Sequence, residues 1–281
     1  MAETLLRLED LEVSRGMKKV LSAFHLEINS GDVVVLHSEN GAGKSTVIEC
    51  SARLLPLEKG SVSHHGALVL DHEGRRNRPV HPFGLTLQSN GLVGDETVEN
   101  HLMTVCALSQ MTADLTPLLE SYGLAHRRHD RIGQLSGGQA RKVAVIAGLL
   151  PAMLSEKPRL VLLDEPATGL DQSAVRTLVS TIGQLRQAGH GFLIASHHPA
   201  MLECATRLHD LKKEVVNKPS NDNAWKALSL EGLFTMIMPG RQSGNPNRSR
   251  LSPQRQVNAI FVRLVQGLLV TGSLHCWSSA Q

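Results

Sequence analysis

The chain has 281 residues, of which 41% are hydrophobic and 20% charged, and its formal net charge is +3. These values are typical of a globular protein with one large domain or two small ones. No apolar run reaches the roughly 18 uncharged residues that a membrane-spanning helix needs, so we expect no membrane span. The acidic N-terminal sequence MAETLLRLEDLE is not that of a secretory signal, so we expect a cytoplasmic protein.

The cysteines and histidines do not form a metal-binding pattern. Four cysteines are scattered along the chain, at Cys50, Cys106, Cys204 and Cys276. Without a Cys-x-x-Cys spacing, both a zinc site and a disulfide framework are disfavoured, and we interpret the cysteines as reduced, mostly buried thiols. The pairs His64-His65 and His197-His198 would point in different directions on a strand, which indicates ordinary loop histidines rather than metal ligands.

The first part of the chain predicts strands followed by a helix. LLRLE near the N-terminus and FHLEI, Phe24 to Ile28, alternate in the manner of half-buried strands. Val33 to Leu36 is a continuous apolar run, which indicates a strand buried on both faces of a sheet. Thr46 to Leu55 then favours a helix, so this part of the chain has the order strand, glycine-rich loop, helix.

The glycine-rich loop carries a phosphate-binding pattern. Its sequence SENGAGKST consists of Ser38, Glu39, Asn40, Gly41, Ala42, Gly43, Lys44, Ser45 and Thr46. The backbone N–H groups of such a loop can surround phosphates, and the helix that follows offers its positive N-terminal end. Lys44 would supply a point charge to the β- and γ-phosphates of a nucleoside triphosphate, and Ser45 would place its hydroxyl on Mg²⁺. Ser38 replaces the glycine that usually begins this pattern, and we expect it to strain the turn.

The middle of the chain changes to helices. Val98 to Leu108 and Leu115 to Tyr122 are predicted helices of a small helical subdomain at about residues 89–150. A long apolar helix, Val143 to Leu150, follows the sequence LSGGQ. The last four residues of that sequence are Ser136, Gly137, Gly138 and Gln139. At the start of a helix, these residues present free N–H groups and the helix dipole to an anion.

Two further buried strands are predicted in the second half of the chain. Leu160 to Leu163 and Phe192 to Ala195 are apolar runs preceded by helical segments, which indicates a largely parallel sheet with crossover helices. Asp164 ends the first of these strands, where its carboxylate can reach Mg²⁺ directly or through water. Glu165 follows on the opposite side of the pleat and suits a general base or a group that orients a water molecule.

Charge and composition change near Asn217. Residues 218–281 contain seven Lys or Arg against two acidic residues, and they are rich in Pro, Gly, Asn and Ser. This composition indicates a linker or a disordered segment, so we place a domain at 1–217 and a basic, poorly ordered extension at 218–281. Within the extension, Val257 to Leu274 is too interrupted for a membrane span, which leaves a surface-lying helix, a partner-docking segment or an ill-ordered stretch.

The phosphate loop, LSGGQ and the strand LVLLDE, in this order and spacing, resemble the ATP-binding cassette ATPases over roughly residues 4–217. The resemblance implies an α/β P-loop fold with a mostly parallel core sheet, flanking helices, an antiparallel β part and a small helical subdomain. It also implies ATP and Mg²⁺ as cofactors and the hydrolysis of ATP as the activity.

Further site residues follow from this resemblance. Gln88, at the end of GLTL, would ligate the metal or sense the attacking water. His197 would be the switch histidine that contacts the γ-phosphate, with His198 as the alternative. Asp171, in PATGLD, would cross the seam between two subunits. Arg15 occupies the region where the family has an aromatic residue on the adenine, and it would either stack through its guanidinium plane or remain a solvated arginine.

The same resemblance implies a homodimer. In this family the LSGGQ residues bind the γ-phosphate held by the other subunit, so two chains would enclose two ATP molecules across a two-fold axis. We therefore expect that the isolated monomer hydrolyses ATP poorly.

Two functions are compatible with such a cassette. The energy-coupling subunit of a transporter would bind separate membrane permease subunits and lie on the inner face of the cell membrane. A soluble cassette ATPase, such as one that assembles iron–sulfur clusters, is the alternative. Nucleic acid is not an expected partner, because the chain has one cassette and no room between Lys44 and Ser136 for a long coiled coil. Among transporters, QSNGL, TVENHL and QLSGGQARKVAV resemble the heme exporter subunit of cytochrome c maturation.

Overall fold

The computed structural model describes residues 2–211 and, as backbone, the strand Val216–Asn217. The extension predicted at 218–281, with its apolar segment Val257 to Leu274 and Cys276, lies outside the described residues. In the described part of the chain, no helix is long and apolar enough to cross a membrane. The domain boundary near Asn217 stays a prediction.

Strands dominate the start of the chain and alternate with helices afterwards. The strands are β1 (Thr4–Arg15), β2 (Lys18–Asn29), β3 (Val33–Leu36), β4 (Lys59–His64), β5 (Ala67–Asp71), β6 (Gly84–Thr86), β7 (Leu160–Asp164), β8 (Gly191–Ala195), β9 (Arg207–His209) and β10 (Val216–Asn217). The helices are α1 (Lys44–Ser51), α2 (Val98–Leu108), α3 (Thr116–Ser121), α4 (Gly137–Met153), α5 (Gln172–Gln187) and α6 (Pro199–Glu203). Two short 3₁₀ turns, Ala125–Arg127 and Ile132–Gln134, precede α4.

A six-stranded sheet forms the centre of the fold, in the strand order β10-β9-β3-β8-β7-β6. The β10 and β9 pair is antiparallel, and the other neighbouring pairs are parallel. The three apolar runs of the sequence form β3, β7 and β8, and every residue of these strands is buried, as predicted for strands covered on both faces. Because the strands are parallel, the loops that follow β3, β7 and β8 meet at one edge of the sheet.

Alternate residues of the central strands belong to two separate cores. On one face, Val34 and Leu162 pack with α1 and with apolar residues of the antiparallel strands. On the other face, Val35 and Leu163 pack with apolar residues of α2, α4 and α5. Both faces of the sheet are therefore covered, which holds the loops at its carboxyl edge in place.

A second sheet is antiparallel and has the strand order β2-β1-β4-β5. Its longest contact is the hairpin of β1 and β2, which pair from Thr4 and Asn29 to Arg15 and Lys18. The two sheets and the flanking helices give the α/β architecture with an antiparallel part that the sequence predicts, and this prediction is confirmed.

The helices α2 and α3 lie between β6 and α4, within the region predicted as a helical subdomain at about residues 89–150. The helix predicted at Val98 to Leu108 has those bounds, and its N-cap Thr97 accepts a hydrogen bond from the backbone N–H of Asn100. The helix predicted at Leu115 to Tyr122 is one residue shorter at each end, because both terminal residues act as caps. The limits of the subdomain as a unit stay a prediction.

The first helix differs from its prediction. We expected Thr46 to Leu55, but α1 begins two residues earlier and ends four residues earlier. It begins directly after Gly43, whose φ of 109° is left-handed. It ends because Arg53 takes a left-handed φ of 62° and the backbone N–H of Leu54 donates to the carbonyl of Glu49. A left-handed residue with a hydrogen bond back into the last turn is a common helix end.

Candidate functional site

The phosphate loop lies between β3 and α1, at the carboxyl edge of the central sheet. Gly41 and Gly43 have left-handed φ values of 76° and 109°, which glycine adopts without steric cost. A Cβ on Gly43 would lie 2.7 Å from a side-chain methyl of Val20. The loop therefore requires glycine at this position for two reasons, its backbone conformation and the close packing of β2.

Ser38 does not strain the loop, contrary to our expectation. The backbone of Ser38 does not have a positive φ, so a side chain is tolerated where the pattern usually has glycine. Ser38 is buried and its carbonyl accepts a hydrogen bond from Lys44 at 2.7 Å. Its hydroxyl has no hydrogen-bond partner within the described residues.

Lys44 is the centre of the polar contacts in the loop. Its Nζ donates to the carbonyls of Ser38 and, at 3.2 Å, Glu39, and it lies 2.7 Å from Nε2 of His197. An ammonium group only donates, so Nε2 is the acceptor in this contact. Burial lowers the pKa of Lys44, and the nearby carboxylates of Glu165 and Asp164 oppose this change.

The two adjacent histidines have different surroundings. His197 follows β8 and contacts the phosphate loop, since Nε2 also lies 3.0 Å from the side-chain oxygen of Asn40. His198 is the N-cap of α6, and its Nδ1 accepts a hydrogen bond from the backbone N–H of Ala200. Of the two candidates for the switch role, His197 is thus the one that faces the loop.

The two acidic candidates lie side by side at the end of β7. Asp164 is buried, its carboxylate accepts a hydrogen bond from Ser45, and its Oδ1 has no hydrogen-bond partner among the described residues. Burial raises the pKa of Asp164, an effect that the Ser45 hydroxyl partly offsets. Oxygen ligands of this kind are those that Mg²⁺ prefers, and an unpaired buried carboxylate oxygen suits a cation. The residues present therefore fit a magnesium ion between Ser45 and Asp164.

Glu165 has an unusual backbone. Its φ of 46° is left-handed, a conformation that raises the energy of a non-glycine residue by roughly 1–3 kcal/mol and is concentrated at functional sites. Its backbone N–H donates to the carbonyl of Ala195, and its Oε2 accepts a hydrogen bond from the hydroxyl of Ser196 at 3.2 Å. Ser196 is a contact that the sequence interpretation did not anticipate.

Gln88 lies at the same edge of the sheet. It follows β6 by two residues, and β6 pairs in parallel with β7, the strand that ends at Asp164. Its side chain is exposed. The strand order thus places Gln88 next to the acidic pair, while its role as a metal ligand stays a prediction.

The LSGGQ residues begin α4 as predicted. Ser136 accepts a hydrogen bond from the backbone N–H of Gln139 at 3.3 Å, and the Gln139 side chain accepts one from the backbone N–H of Ser136 at 3.0 Å. This reciprocal capping box fixes the helix start. A Cβ on Gly138 would lie 2.9 Å from the carbonyl of Gly169. The motif is therefore packed against the loop that carries PATGLD.

Two other predicted residues have partners within the chain. Asp171 caps α5 by accepting a hydrogen bond from Ala174, and it forms an ion pair with Lys142 at 2.6 Å that lowers its pKa. Arg15 forms an ion pair with Glu49 of α1. Their predicted roles, at a subunit seam and on the adenine, stay predictions.

Arg141 is a site residue that the sequence interpretation missed. It lies on the first turns of α4 and is 4% exposed, yet it donates hydrogen bonds to the backbone of both acidic residues. Its spacing from Val145 and Gly148 on α4 places it on the buried face of the helix. A charged residue on an apolar helix face was the signal available in the sequence.

Comparisons with known proteins agree on one family. The family model described as ABC transporter matches residues 21–168. The zinc import ATP-binding protein ZnuC of Marinobacter nauticus is 33% identical over 208 residues, which cover 73% of this chain and 73% of the relative. The cytochrome c biogenesis ATP-binding export protein CcmA of Paraburkholderia xenovorans is 33% identical over 230 residues, which cover 75% and 97%. A solved ATP-binding subunit of an ABC transporter has a TM-score of 0.65 at 26% identity, and the match covers 81% of this chain and 95% of that one.

Proposed function

Because this chain belongs to the ABC transporter family and is an ATP-binding, ATP-hydrolysing subunit that uses Mg²⁺, we propose that it drives a membrane transporter whose permease is a separate chain. One observation carries the proposal: Lys44 and His197 are in contact at the same sheet edge as the buried Asp164 and the half-buried Glu165. A cation, a histidine and two carboxylates at the mouth of a phosphate loop suit the hydrolysis of a nucleoside triphosphate.

In this proposal each group has a distinct part in hydrolysis. The backbone N–H groups of the loop and the Lys44 ammonium bind the β- and γ-phosphates. Ser45, Asp164 and Gln88 would hold Mg²⁺, and a metal ion at this position would supply positive charge to the phosphate oxygens. Glu165 orients the attacking water or accepts its proton, and the contact from Ser196 holds one of its carboxylate oxygens.

Lys44 changes partners when ATP binds. In the structure, its ammonium is engaged by two loop carbonyls and by His197. Phosphate oxygens carry a full charge and make stronger acceptors than carbonyls or a neutral imidazole. We expect the γ-phosphate to take over this ammonium and to leave His197 free to contact the phosphate itself, which would make His197 the sensor of bound ATP.

The proposed active unit is a homodimer. The capped start of α4, with Ser136, Gly137 and Gly138, offers N–H groups to a phosphate, while its contacts in the chain are with the loop near Gly169. A two-fold axis would place this motif over the phosphate loop of the partner subunit and bring Asp171 to the seam. Each of the two sites then requires both chains, which explains why a monomer should be slow.

The proposal also assigns a contact to the adenine base and a location to the subunit. Arg15 would stack on the adenine after releasing Glu49, because a guanidinium plane can lie on an aromatic base. The subunit would lie on the inner face of the cell membrane, against its permease.

For the transported substrate we propose heme, exported for cytochrome c maturation. The support is the similarity of QSNGL, TVENHL and QLSGGQARKVAV to that subfamily, together with a CcmA relative that is matched over 97% of its length. The ZnuC relative, named for zinc import, is equally identical, so similarity alone does not select a substrate.

The heme proposal predicts a specific defect. A strain whose only copy of the protein carries Lys44→Ala should contain apocytochrome c without covalent heme, because the transporter lacks its energy supply. Heme staining of membrane c-type cytochromes is the measurement. The matched control is Lys59→Ala, since Lys59 is exposed on β4 and pairs with Asp10 away from the site.

The outcomes separate the two levels of the proposal. Normal heme staining with Lys44→Ala would contradict heme as substrate and leave the transporter role standing. Purification of the protein from native membranes tests that role, and the absence of any co-purifying membrane-spanning protein would contradict it.

A further inference from the structure

Arg141 joins three segments of the chain through one buried guanidinium. Its Nη1 donates to the carbonyl of Leu87 at 2.7 Å and to the side-chain oxygen of Asn90 at 3.0 Å, with a longer contact of 3.4 Å to the carbonyl of Gln88. Its Nη2 donates to the carbonyls of Asp164 at 2.6 Å and Glu165 at 2.7 Å. The fork of the guanidinium thus spans the loop after β6 and the end of β7, while the residue itself belongs to α4.

The helix and β6 are held together independently of this arginine. A Cβ on Gly84 would lie 2.0 Å from the carbonyl of Gly148, so the two backbones approach as only glycines allow. The hydroxyl of Thr86 also donates to the carbonyl of Ala144 at 3.2 Å. α4 and β6 therefore form one packed unit, and Arg141 connects this unit to the backbone of Glu165.

The burial of Arg141 is energetically unfavourable unless its donors are satisfied. Its Nη1 and Nη2 donate to carbonyls and an amide oxygen, while its buried Nε has no hydrogen-bond partner among the described residues. Burial lowers the pKa of Arg141, and the nearby carboxylates of Asp164 and Glu165 oppose this change. A lysine could not replace it, because an ammonium is a point charge and does not reach two segments at once in a fixed plane. Arg141 therefore holds the loop after β6 and the end of β7 in one position relative to each other.

We propose that Arg141 is the positioning residue that fixes Gln88 and Glu165 relative to each other and links both to the helix that begins with LSGGQ. This inference rests on the proposed roles of Gln88 and Glu165 in hydrolysis. The two bonds from Nη2 hold the left-handed backbone of Glu165, so the carboxylate meets the γ-phosphate in one orientation. A shift of about 1 Å in such a group can lower the rate about 100-fold.

The test is Arg141→Lys in the full chain, measured by steady-state ATP hydrolysis. We expect kcat to fall at least about tenfold while KM for Mg-ATP stays within about twofold, because positioning acts on the transition state and not on ground-state binding. The matched control is Arg159→Lys, which replaces another arginine of low exposure, at 8%, just before the opposite end of β7. This control should leave both kcat and KM within about twofold of the parental values, even if the protein is less stable.

Two further variants keep the inference testable. Asn90→Ala removes one acceptor of Nη1, and we expect kcat to fall about threefold or more while KM is unchanged. This variant provides the test if Arg141→Lys does not fold. Glu165→Gln, measured in parallel, tests the underlying role: parental turnover in that variant would contradict the role of Glu165 itself. If Glu165→Gln is inactive but Arg141→Lys, or Asn90→Ala, has parental kcat, the positioning role is overturned and the proposed function stands.

Discussion

At the scale of single residues, two histidines are buried in their neutral form. His64 lies with Nε2 2.8 Å from the carbonyl of Ser51, and Nδ1 of His190 accepts a hydrogen bond from the backbone N–H of Arg159 at 3.0 Å. Burial lowers the pKa of each to about 4, from an ordinary value near 6.5. A protonated His190 would lose the acceptor that the Arg159 N–H requires.

These histidines predict how stability depends on pH. Between about pH 4 and 6.5 the unfolded chain binds more protons than the folded chain, so the free energy of unfolding falls as the pH is lowered through this window. From pH 7 to pH 5 we expect a loss of about 2 kcal/mol for each histidine. Urea denaturation at both pH values measures it. From pH 7 to pH 5, the decrease in unfolding free energy should be about 2 kcal/mol smaller for His190→Asn than for the control His126→Gln, which changes an exposed residue. Equal losses in both variants would contradict the assignment.

Other properties of single residues depend on distant parts of the chain, and the sequence did not reveal them. The identities of Lys44, Asp164 and Glu165 as candidates follow from local patterns. The left-handed backbone of Glu165 does not, because its N–H donates to the carbonyl of Ala195 on β8 and its carbonyl accepts from Arg141 on α4. A local pattern contains no information about such partners.

At the scale of elements, the contact of α4 with β6 determines where the site residues stand. A Cβ added to Gly148 would lie 2.1 Å from the Thr86 hydroxyl and 3.1 Å from the carbonyl of Leu85. The Thr86 hydroxyl belongs to a short side chain that already donates to the carbonyl of Ala144 on α4, and the Leu85 carbonyl is part of the backbone, so neither can move aside freely. The two elements must therefore move apart if Gly148 gains a side chain.

Gly148→Ala should destabilise the protein by about 1–3 kcal/mol through this overpacking. It should also lower kcat, because β6 leads into the Gln88 loop that α4 holds. The free energy of unfolding in urea and the steady-state rate are the two measurements. Ala147→Ser, on the same turn but partly exposed, is the control and should change stability by less than about 0.5 kcal/mol. Parental stability in Gly148→Ala would show that the contact relaxes freely.

The predictability of the elements follows from their surroundings. β3, β7 and β8 were predicted because a strand covered on both faces has an apolar residue at every position. The strand β4, with the sequence KGSVSH, was not predicted, because most of its residues are polar. It is stabilised by pairing with β1 and β5. The end of α1 was missed for a related reason: the left-handed backbone of Arg53 is not apparent from its residue type.

At the scale of the whole molecule, the two regions that the proposed site would combine lie in different elements of the chain. The phosphate loop and the acidic pair lie at the carboxyl edge of the central sheet, while the LSGGQ residues are engaged with their own capping box and with the loop near Gly169. In the proposed homodimer these two regions meet across the interface. ATP would then act as the contact between subunits, and its hydrolysis would release them.

The most direct test of this account uses Glu165→Gln with Mg-ATP, followed by size-exclusion chromatography and a hydrolysis assay. Removing the charge that activates water should reduce turnover at least about 100-fold while leaving the phosphate loop intact, so an ATP-bound dimer should accumulate. Glu203→Gln, at the exposed end of α6, is the control and should behave as the parental protein. We predict that Glu165→Gln elutes as a dimer that retains ATP. A variant that stays monomeric and hydrolyses ATP at the parental rate would contradict the account.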